Sequence, residues 1–180
     1  MVASDTKKTN KYIMARFLEK IVINAGIGKL RNQPNFDDKI LPEIERELAI
    51  ITGQKPAERK AKKSIAGFKI REGEVVGLQI TLRGMRMDEF LKRIVAVVFP
   101  RVRDFRGLNI ENVDANGNLN VGFKDQYVFP EINIEKSKIA FGIQITCVPR
   151  IKKREGAIDF YRNSGVPLKR LVQKSERVSK

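Results

Sequence analysis

The sequence of 180 residues contains no histidine and a single cysteine, Cys147. Without histidine the chain has no imidazole base, so lysine or a carboxylate would have to activate any serine or cysteine nucleophile. The surrounding alternation places Cys147 on the inward side of a strand, which is typical of a small core residue. One cysteine forms no intramolecular disulfide, and the usual Cys/His zinc spacings cannot be assembled. These absences disfavour an enzyme, predict no metal and no cofactor, and indicate a reducing, cytosolic environment.

The sequence also lacks a long hydrophobic run, because no stretch approaches the ~20 apolar residues that span a bilayer. Residues 1–11 are polar and do not combine a charged start with the apolar core of an export signal. Residues 165–180 are basic but have no broad apolar helical face, so we expect only weak binding to membranes. We therefore predict no membrane partner and no export.

Acidic residues are scarce in two segments that hold nearly all the excess positive charge. Residues 54–71 contain seven Lys or Arg against one acid, and residues 150–180 contain ten against three, which together supply 13 of the formal net charge of +15. Concentrated basic segments on a balanced body are typical of nucleic-acid binders, because each phosphate that Lys or Arg neutralises releases condensed counterions. Two solvated loops that only favour solubility are the alternative interpretation.

Hydrophobic residues make up 42% of the chain, which is enough for one domain with a substantial core. Alternating apolar residues predict strands at residues 18–24, 76–83, 119–123 and 139–148, with a short edge strand within residues 54–63. Apolar residues at helical spacing predict helices at about residues 40–51, 88–99 and 155–163. In these predictions Asp37 or Asp38 caps the first helix, Asp88 caps the second and Pro100 ends it. Val76 is expected to face the core.

The alternation predicts an α+β fold, an antiparallel sheet with helices on one face and the other face open. The side chains predicted on the open face are polar or small: Lys20, Asn24, Gln79, Thr81, Arg83, Asn120, Gln144 and Thr146, with Gly77, Gly122 and Gly142. None is aromatic, so this face offers no base stacking. Amides and hydroxyls can bond to phosphate or ribose where small residues allow close approach, which favours structured RNA over an ordinary solvated sheet. We predict a polar extension at residues 1–15, a single RNA-binding domain at residues 16–168 and a basic tail at residues 169–180.

A long basic loop at residues 64–77 combines cations with apolar residues. Its Ile65 and Phe68 lie among Lys62, Lys63, Lys69 and Arg71. A loop with both charge and apolar surface is typical of a contact surface, although Ile65 and Phe68 could equally tuck under the sheet. The string Gly26-Ile27-Gly28-Lys29 is better explained as a strand-ending turn than as a phosphate loop, since it lacks the longer glycine spacing and the Lys-Ser/Thr ending.

Several ordered strings resemble one known family, that of ribosomal protein number five of the large subunit, the bacterial 5S rRNA-binding protein. The strings are Ile23-Asn24-Ala25-Gly26-Ile27-Gly28, Thr52-Gly53-Gln54-Lys55-Pro56, Lys62-Lys63-Ser64-Ile65-Ala66-Gly67-Phe68-Lys69-Ile70-Arg71, Thr81-Leu82-Arg83-Gly84, Pro100-Arg101-Val102-Arg103-Asp104-Phe105-Arg106-Gly107-Leu108, Phe129-Pro130-Glu131-Ile132 and Gly165-Val166-Pro167-Leu168-Lys169-Arg170. The resemblance covers about residues 16–171, and so many motifs in register make a chance match very improbable.

The resemblance implies a non-enzymatic structural protein whose concave sheet face holds a loop of 5S rRNA in the central protuberance. Asn24, Gln54 and Thr81 match the family's RNA-contacting positions. With the open-face residues, the predicted 5S rRNA-binding set is Lys20, Asn24, Gln54, Lys55, Gln79, Thr81, Arg83, Gln144 and Thr146. The resemblance also implies that the loop of residues 64–77 reaches transfer RNA in the peptidyl site, through Lys62, Lys63, Ser64, Phe68, Lys69 and Arg71.

Further partners implied by the resemblance are 23S-type rRNA nearby, a small-subunit head protein and other central-protuberance proteins, with no small-molecule substrate. The expected location is the cytoplasmic ribosome, with an organellar ribosome left open. Two departures stand out: the helical segment usual before the first strand is mostly missing, and residues 171–180 extend beyond the usual end. The alternative function is a free-standing RNA chaperone that uses its basic segments without sequence preference.

Overall fold

The computed structural model describes residues 17–135, 137 and 139–169. The predicted N-terminal extension, and the predicted basic tail beyond residue 169, lie outside the described residues. The strands are β1 (Leu18–Gly26), β2 (Ala57–Lys60), β3 (Val75–Leu82), β4 (Leu119–Phe123) and β5 (Ile143–Pro149). The helices are α1 (Leu41–Thr52), α2 (Gly84–Arg93) and α3 (Arg154–Asn163). No helix in the described ranges is long and apolar enough to cross a membrane.

The five strands form one open sheet in the order β2-β3-β1-β5-β4, and all neighbours are antiparallel. Strand β1 lies at the centre, where Ile21 and Ile23 are at most 1% exposed. Alternate residues of the other strands, such as Ile80 and Ile145, are buried in the same core as Phe90 of α2. One side of β1, β3, β4 and β5 is buried under the helices and the other is not, whereas all four residues of the edge strand β2 are exposed. The predicted α+β fold, an antiparallel sheet with an open face, is confirmed.

The first helix differs from its prediction at its start. Asp37 and Asp38 do not cap it, because both lie inside a π-helical turn, Phe36–Ile40, that leads directly into α1. Asp37 instead lies 3.6 Å from the guanidinium of Arg31. Pro42 falls in the first turn, where it removes no hydrogen bond, and Gly53 ends the helix in the left-handed conformation at φ 68°.

The second helix is longer than predicted at both ends. It begins at Gly84, so Asp88 lies a full turn inside it and is 5% exposed, and burial raises the pKa of this carboxyl group. Pro100 does not end the helix. A π-helical segment, Ile94–Val98, follows α2, and Pro100 then occupies the first turn of a last α-helical stretch, Phe99–Arg101, where proline needs no backbone donor.

Two strand predictions are also corrected. The strand predicted at residues 139–148 begins only at Ile143, because Gln126 takes the preceding backbone groups: its Nε2 donates to Ile139 O at 2.6 Å, and its Oε1 accepts from Phe141 N at 3.0 Å. At the start of β3 the buried residue is Val75, while Val76, which was expected to face the core, is only half-buried. The register of β3 against β2 shifts between Gly77 and Val75, so Val75 and not Val76 takes the position that faces the core.

Candidate nucleic-acid interface

The register of the sheet brings polar side chains from four strands into two rows on the open face. In the first row Asn24 lies opposite both Gln79 and Gln144, and Gln144 lies opposite Gly122. In the second row Val22 lies between Thr81 and Thr146, and Thr146 lies opposite Asn120. Since residues two apart in a strand share a face, both rows lie on the same side. We call this surface the polar face and define it by Asn24, Gln79, Thr81, Asn120, Gln144 and Thr146.

The polar face is accessible to a large ligand. Each of its six side chains is half-buried or exposed, whereas the alternate residues Ile23, Ile80 and Ile145 are 1% exposed. Thr146 Oγ1 bonds to Asn120 Oδ1 at 2.7 Å, which couples β5 to β4 within the face. The structure therefore brings together five residues of the predicted 5S rRNA-binding set: Asn24, Gln79, Thr81, Gln144 and Thr146.

Glycines form the floor of a depression on this face, with a volume of about 630 Å³. Gly26, Gly77, Gly122 and Gly142 line it beside Asn24 and Gln144. A Cβ atom on Gly77 would lie only 3.2 Å from Ala25 O, so the backbone is closely packed there. A Cβ atom on Gly122 would meet nothing within 4 Å, so a side chain at that position would project into open space. The depression is open because these positions carry no side chains.

Gln54, in the turn after α1, contacts the backbone of Thr81 on β3. Its Nε2 donates to Thr81 O at 3.4 Å, and its backbone N donates to Thr52 Oγ1 at 3.3 Å. The structure thus places Gln54 beside Thr81, although 27 residues separate them in sequence. Lys55 follows as an exposed residue.

Lys20 and Arg83 lie at one end of the face and share an acidic neighbour. Glu19 Oε1 is 3.6 Å from Lys20 Nζ and 4.0 Å from Arg83 Nη1. Because the carboxylate offsets part of their charge, these two predicted contacts offer less positive potential than the sequence indicates.

Arg59 on β2 is a cation of this surface that the sequence analysis missed. It lies opposite Gly77, a residue of the open face, and its guanidinium donates to Gln79 Oε1. All four residues of β2 are exposed, so no apolar alternation indicated which face Arg59 would occupy. Only the pairing of β2 with β3 indicates that Arg59 belongs to the open face.

The basic loop joins β2 to β3 as a compact hairpin, residues 61–74, which we call the basic hairpin. It ends before the predicted bound of residue 77, because β3 begins at Val75. Ile65 and Ile70 pair through two backbone hydrogen bonds of 2.9 and 3.2 Å, and Ser64 Oγ accepts from Glu72 N at 2.9 Å. Phe68 is 70% exposed and Ile65 is 48% exposed, so of the two interpretations the alternative, in which they tuck under the sheet, is wrong. The six predicted tRNA-contact residues, Lys62, Lys63, Ser64, Phe68, Lys69 and Arg71, are all exposed.

Neither the Cys147 thiol nor the acidic side chains of the described residues form a site suited to nucleophilic or metal chemistry. Cys147 is 2% exposed, and burial raises the pKa of its thiol to about 12, so it stays protonated in the core near neutral pH. Among the residues that the structure describes, no three His, Cys, Asp or Glu side chains lie together in a group that could hold a metal ion.

Comparison with known proteins gives one consistent family. The ribosomal protein L5 family model matches residues 16–71, and the model of the C-terminus of that family matches residues 75–168. The large ribosomal subunit protein uL5 of Halothermothrix orenii is 43% identical over 150 residues, covering 83% of this chain and 82% of the relative. The uL5 protein of Chlorobaculum tepidum is 43% identical over 166 residues, covering 92% and 88%.

The uL5 protein of Thermus aquaticus is similar to the same degree, 44% identical over 153 residues, covering 85% of this chain and 82% of the relative. The matched segments include every strand and helix of the sheet domain. Identity above 40% over most of both chains, together with the two family models, shows that the chain belongs to the ribosomal protein L5 family.

Proposed function

We propose that the polar face binds 5S rRNA in the central protuberance and that the basic hairpin contacts transfer RNA in the peptidyl site. As a member of the ribosomal protein L5 family, the chain is a structural constituent of the large ribosomal subunit and not an enzyme. The single observation that carries the proposal is the open polar face with its glycine-floored depression.

The chemistry of the polar face suits a folded RNA. Its amides and hydroxyls can bond to phosphate oxygens and ribose hydroxyls, and the glycines Gly26 and Gly122 let a backbone approach the sheet. No aromatic side chain belongs to the two rows of the face, so recognition does not rely on stacked, splayed bases. A broad and shallow RNA groove fits this arrangement because it displays ribose hydroxyls and phosphates over a similar area.

The basic hairpin supports a second contact. Phe68 offers an exposed ring at the tip, and the exposed Lys62, Lys63 and Lys69 belong to the same hairpin. An exposed aromatic ring among cations can contact a nucleoside and its phosphates together. The hydrogen bonds within the hairpin order it before any partner binds, which lowers the entropic cost of binding.

The proposal extends to the wider assembly. Residues 16–168 act as a single RNA-binding domain, and residues 169–180 add positive charge beyond it. The partners are 5S rRNA, nearby 23S-type rRNA, a small-subunit head protein that completes a bridge between subunits, and other proteins of the central protuberance. The protein then works as part of the cytoplasmic ribosome.

We expect Asn24→Ala or Thr81→Ala to weaken 5S rRNA binding by roughly 1 to 3 kcal/mol, the cost of leaving a buried partner without its hydrogen bond. Both residues lie in the central strands of the face, and Asn24 is paired on either side. Filter binding at two salt concentrations measures the effect. Because neither residue is charged, the salt dependence of binding should be unchanged.

Lys63→Ala is the matched control outside the sheet. It removes one exposed cation of the hairpin, so its main effect should be to reduce the salt dependence of the affinity for 5S rRNA. Unchanged affinity in the Asn24 and Thr81 variants would count against the polar face as the binding surface. A chemical footprint distinguishes the RNA chaperone, since a chaperone would protect no defined loop of 5S rRNA.

We expect Phe68→Ala to weaken the retention of peptidyl-site transfer RNA on reconstituted ribosomes by several-fold, since base–aromatic contacts contribute about 1 to 3 kcal/mol. The free energy of unfolding should stay within about 0.5 kcal/mol, because Phe68 is 70% exposed. Met85→Ala removes a similarly exposed apolar side chain, 65% exposed, outside the hairpin. Equal dissociation rates for all three ribosomes would reject the contact at Phe68.

A further inference from the structure

The guanidinium of Arg59 lies on the polar face against a neutral amide. Arg59 sits on the edge strand β2 opposite Gly77, and Gly77 is two residues before Gln79 on β3. Arg59 Nε donates to Gln79 Oε1 at 2.8 Å, and Arg59 Nη2 donates to the same oxygen. The two side chains therefore meet on the open side of the sheet, and we call them the Arg59–Gln79 pair.

This contact fixes the orientation of the Gln79 amide. A guanidinium carries only donors, so the amide must turn its oxygen towards Arg59; the reversed amide would set donor against donor. The Nε2 group of Gln79 consequently points away from Arg59, and it donates to no acceptor among the described residues. The pair thus leaves the amide hydrogens of Gln79 and the Nη1 hydrogens of Arg59 without an acceptor among the described residues, while the Gln79 oxygen is already occupied.

The charge of Arg59 is not compensated by a carboxylate among the residues that the structure describes. Lys20 and Arg83 at the end of the face share Glu19, whereas Arg59 forms no ion pair with any described acid. Arg59 also lines the glycine-floored depression, whose other lining residues are uncharged. An exposed guanidinium bonded to an amide keeps its full positive charge beside an open, neutral floor.

We propose that the Arg59–Gln79 pair is a phosphate-binding element that holds one phosphodiester group of the RNA on the polar face. Two adjacent donor groups, one of them cationic, match the two non-bridging oxygens of a phosphodiester. In this pair Arg59 also orients the side-chain amide of Gln79. The inference rests on the proposed binding of 5S rRNA to this face and adds the chemical group that the edge of the face recognises.

The test compares three variants of the full chain in 5S rRNA binding across a salt series. Arg59→Gln removes the charge and should lower affinity about 10-fold near physiological salt, while the slope of log affinity against log salt falls by about 1. Arg59→Lys keeps the charge and should keep the slope while losing a few-fold in affinity, because lysine lacks the fork. Gln79→Glu should also lower affinity, because its carboxylate would neutralise Arg59 and repel the phosphate.

Phosphate-ethylation interference gives a second readout. With the wild-type chain, ethylation of one particular 5S rRNA phosphate should block binding, and Arg59→Gln should lose that sensitivity while other sensitive phosphates remain. Arg46→Gln is the matched control, since Arg46 is exposed on α1, on the side of the sheet that the helices cover. It should change neither affinity nor interference.

The outcomes separate this inference from the proposal on which it rests. If Asn24→Ala weakens binding but Arg59→Gln changes neither the affinity, the salt slope nor the interference pattern, the phosphate-binding pair is overturned and the polar face stands. If the wild-type chain binds 5S rRNA no better than an unrelated RNA, both proposals fail. Loss of one interference site together with a reduced slope supports the pair.

Discussion

Gly122→Val is expected to lower the affinity for 5S rRNA at least about 30-fold, which corresponds to the ~2 kcal/mol of a central contact. Gly122 is exposed on β4 opposite Gln144, and it lines the depression of the polar face. A Cβ atom there meets nothing within 4 Å, so the valine side chain would occupy the space that the RNA needs. The loss should come from steric exclusion and not from unfolding.

The fold should tolerate this substitution. The φ angle of Gly122 lies outside the left-handed region, and valine favours strand conformation. The free energy of unfolding should therefore stay the same or rise by about 0.5 to 1 kcal/mol, because glycine within a strand is entropically unfavourable. Chemical denaturation and fluorescence anisotropy with labelled 5S rRNA measure the two effects.

Ala96→Val is the control for added bulk. It introduces the same side chain at an exposed position of the π-helical segment that follows α2, away from the sheet face. This variant should bind 5S rRNA with wild-type affinity. Wild-type affinity in Gly122→Val itself would show that the RNA does not enter the depression.

Gln126→Leu is expected to reduce the free energy of unfolding by about 3 kcal/mol or more, since it would leave several buried polar groups without partners. Gln126 is completely buried. The two hydrogens of its Nε2 are shared among three acceptors, Glu47 Oε2 at 3.1 Å, Ser137 Oγ at 3.1 Å and Ile139 O at 2.6 Å, and its Oε1 accepts from Phe141 N. Leucine has a similar volume but can satisfy none of these groups.

Gln144→Leu is the matched control, because it makes the same chemical change at an exposed position of the polar face. It should leave the free energy of unfolding within about 0.5 kcal/mol and should weaken RNA binding instead. Urea denaturation of both variants makes the comparison. Equal stability of Gln126→Leu and the wild-type chain would mean that the network contributes no net free energy to the fold.

The Gln126 network also matters for the candidate site. It fixes the backbone at Ile139 and Phe141, directly before Gly142, which lines the depression. A Cβ atom on Gly142 would lie 3.3 Å from Phe123 O, so the segment passes close to the end of β4. A buried amide on one side of the sheet thus helps to position the floor of the depression on the polar face.

The sequence by itself determined the fold class and the composition of the polar face. Successive side chains of a strand point to opposite faces, so the apolar alternation around Ile23, Ile80 and Val121 indicates which side of each strand faces the core. The complementary positions then had to form the open side, and Asn24 and Thr81 were identified in this way. The ordered motifs added the family, because their residues could be read without coordinates.

Only the tertiary structure decided which of these residues become neighbours. The order β2-β3-β1-β5-β4 sets Asn24 between Gln79 and Gln144, and the register of β2 brings Arg59 onto the face. Periodicity carries no information about either, since strand partners far apart in sequence are selected by the packing of the whole domain. For the same reason the exposure of Phe68 and the shortening of β5 by Gln126 followed from contacts that no local pattern contains.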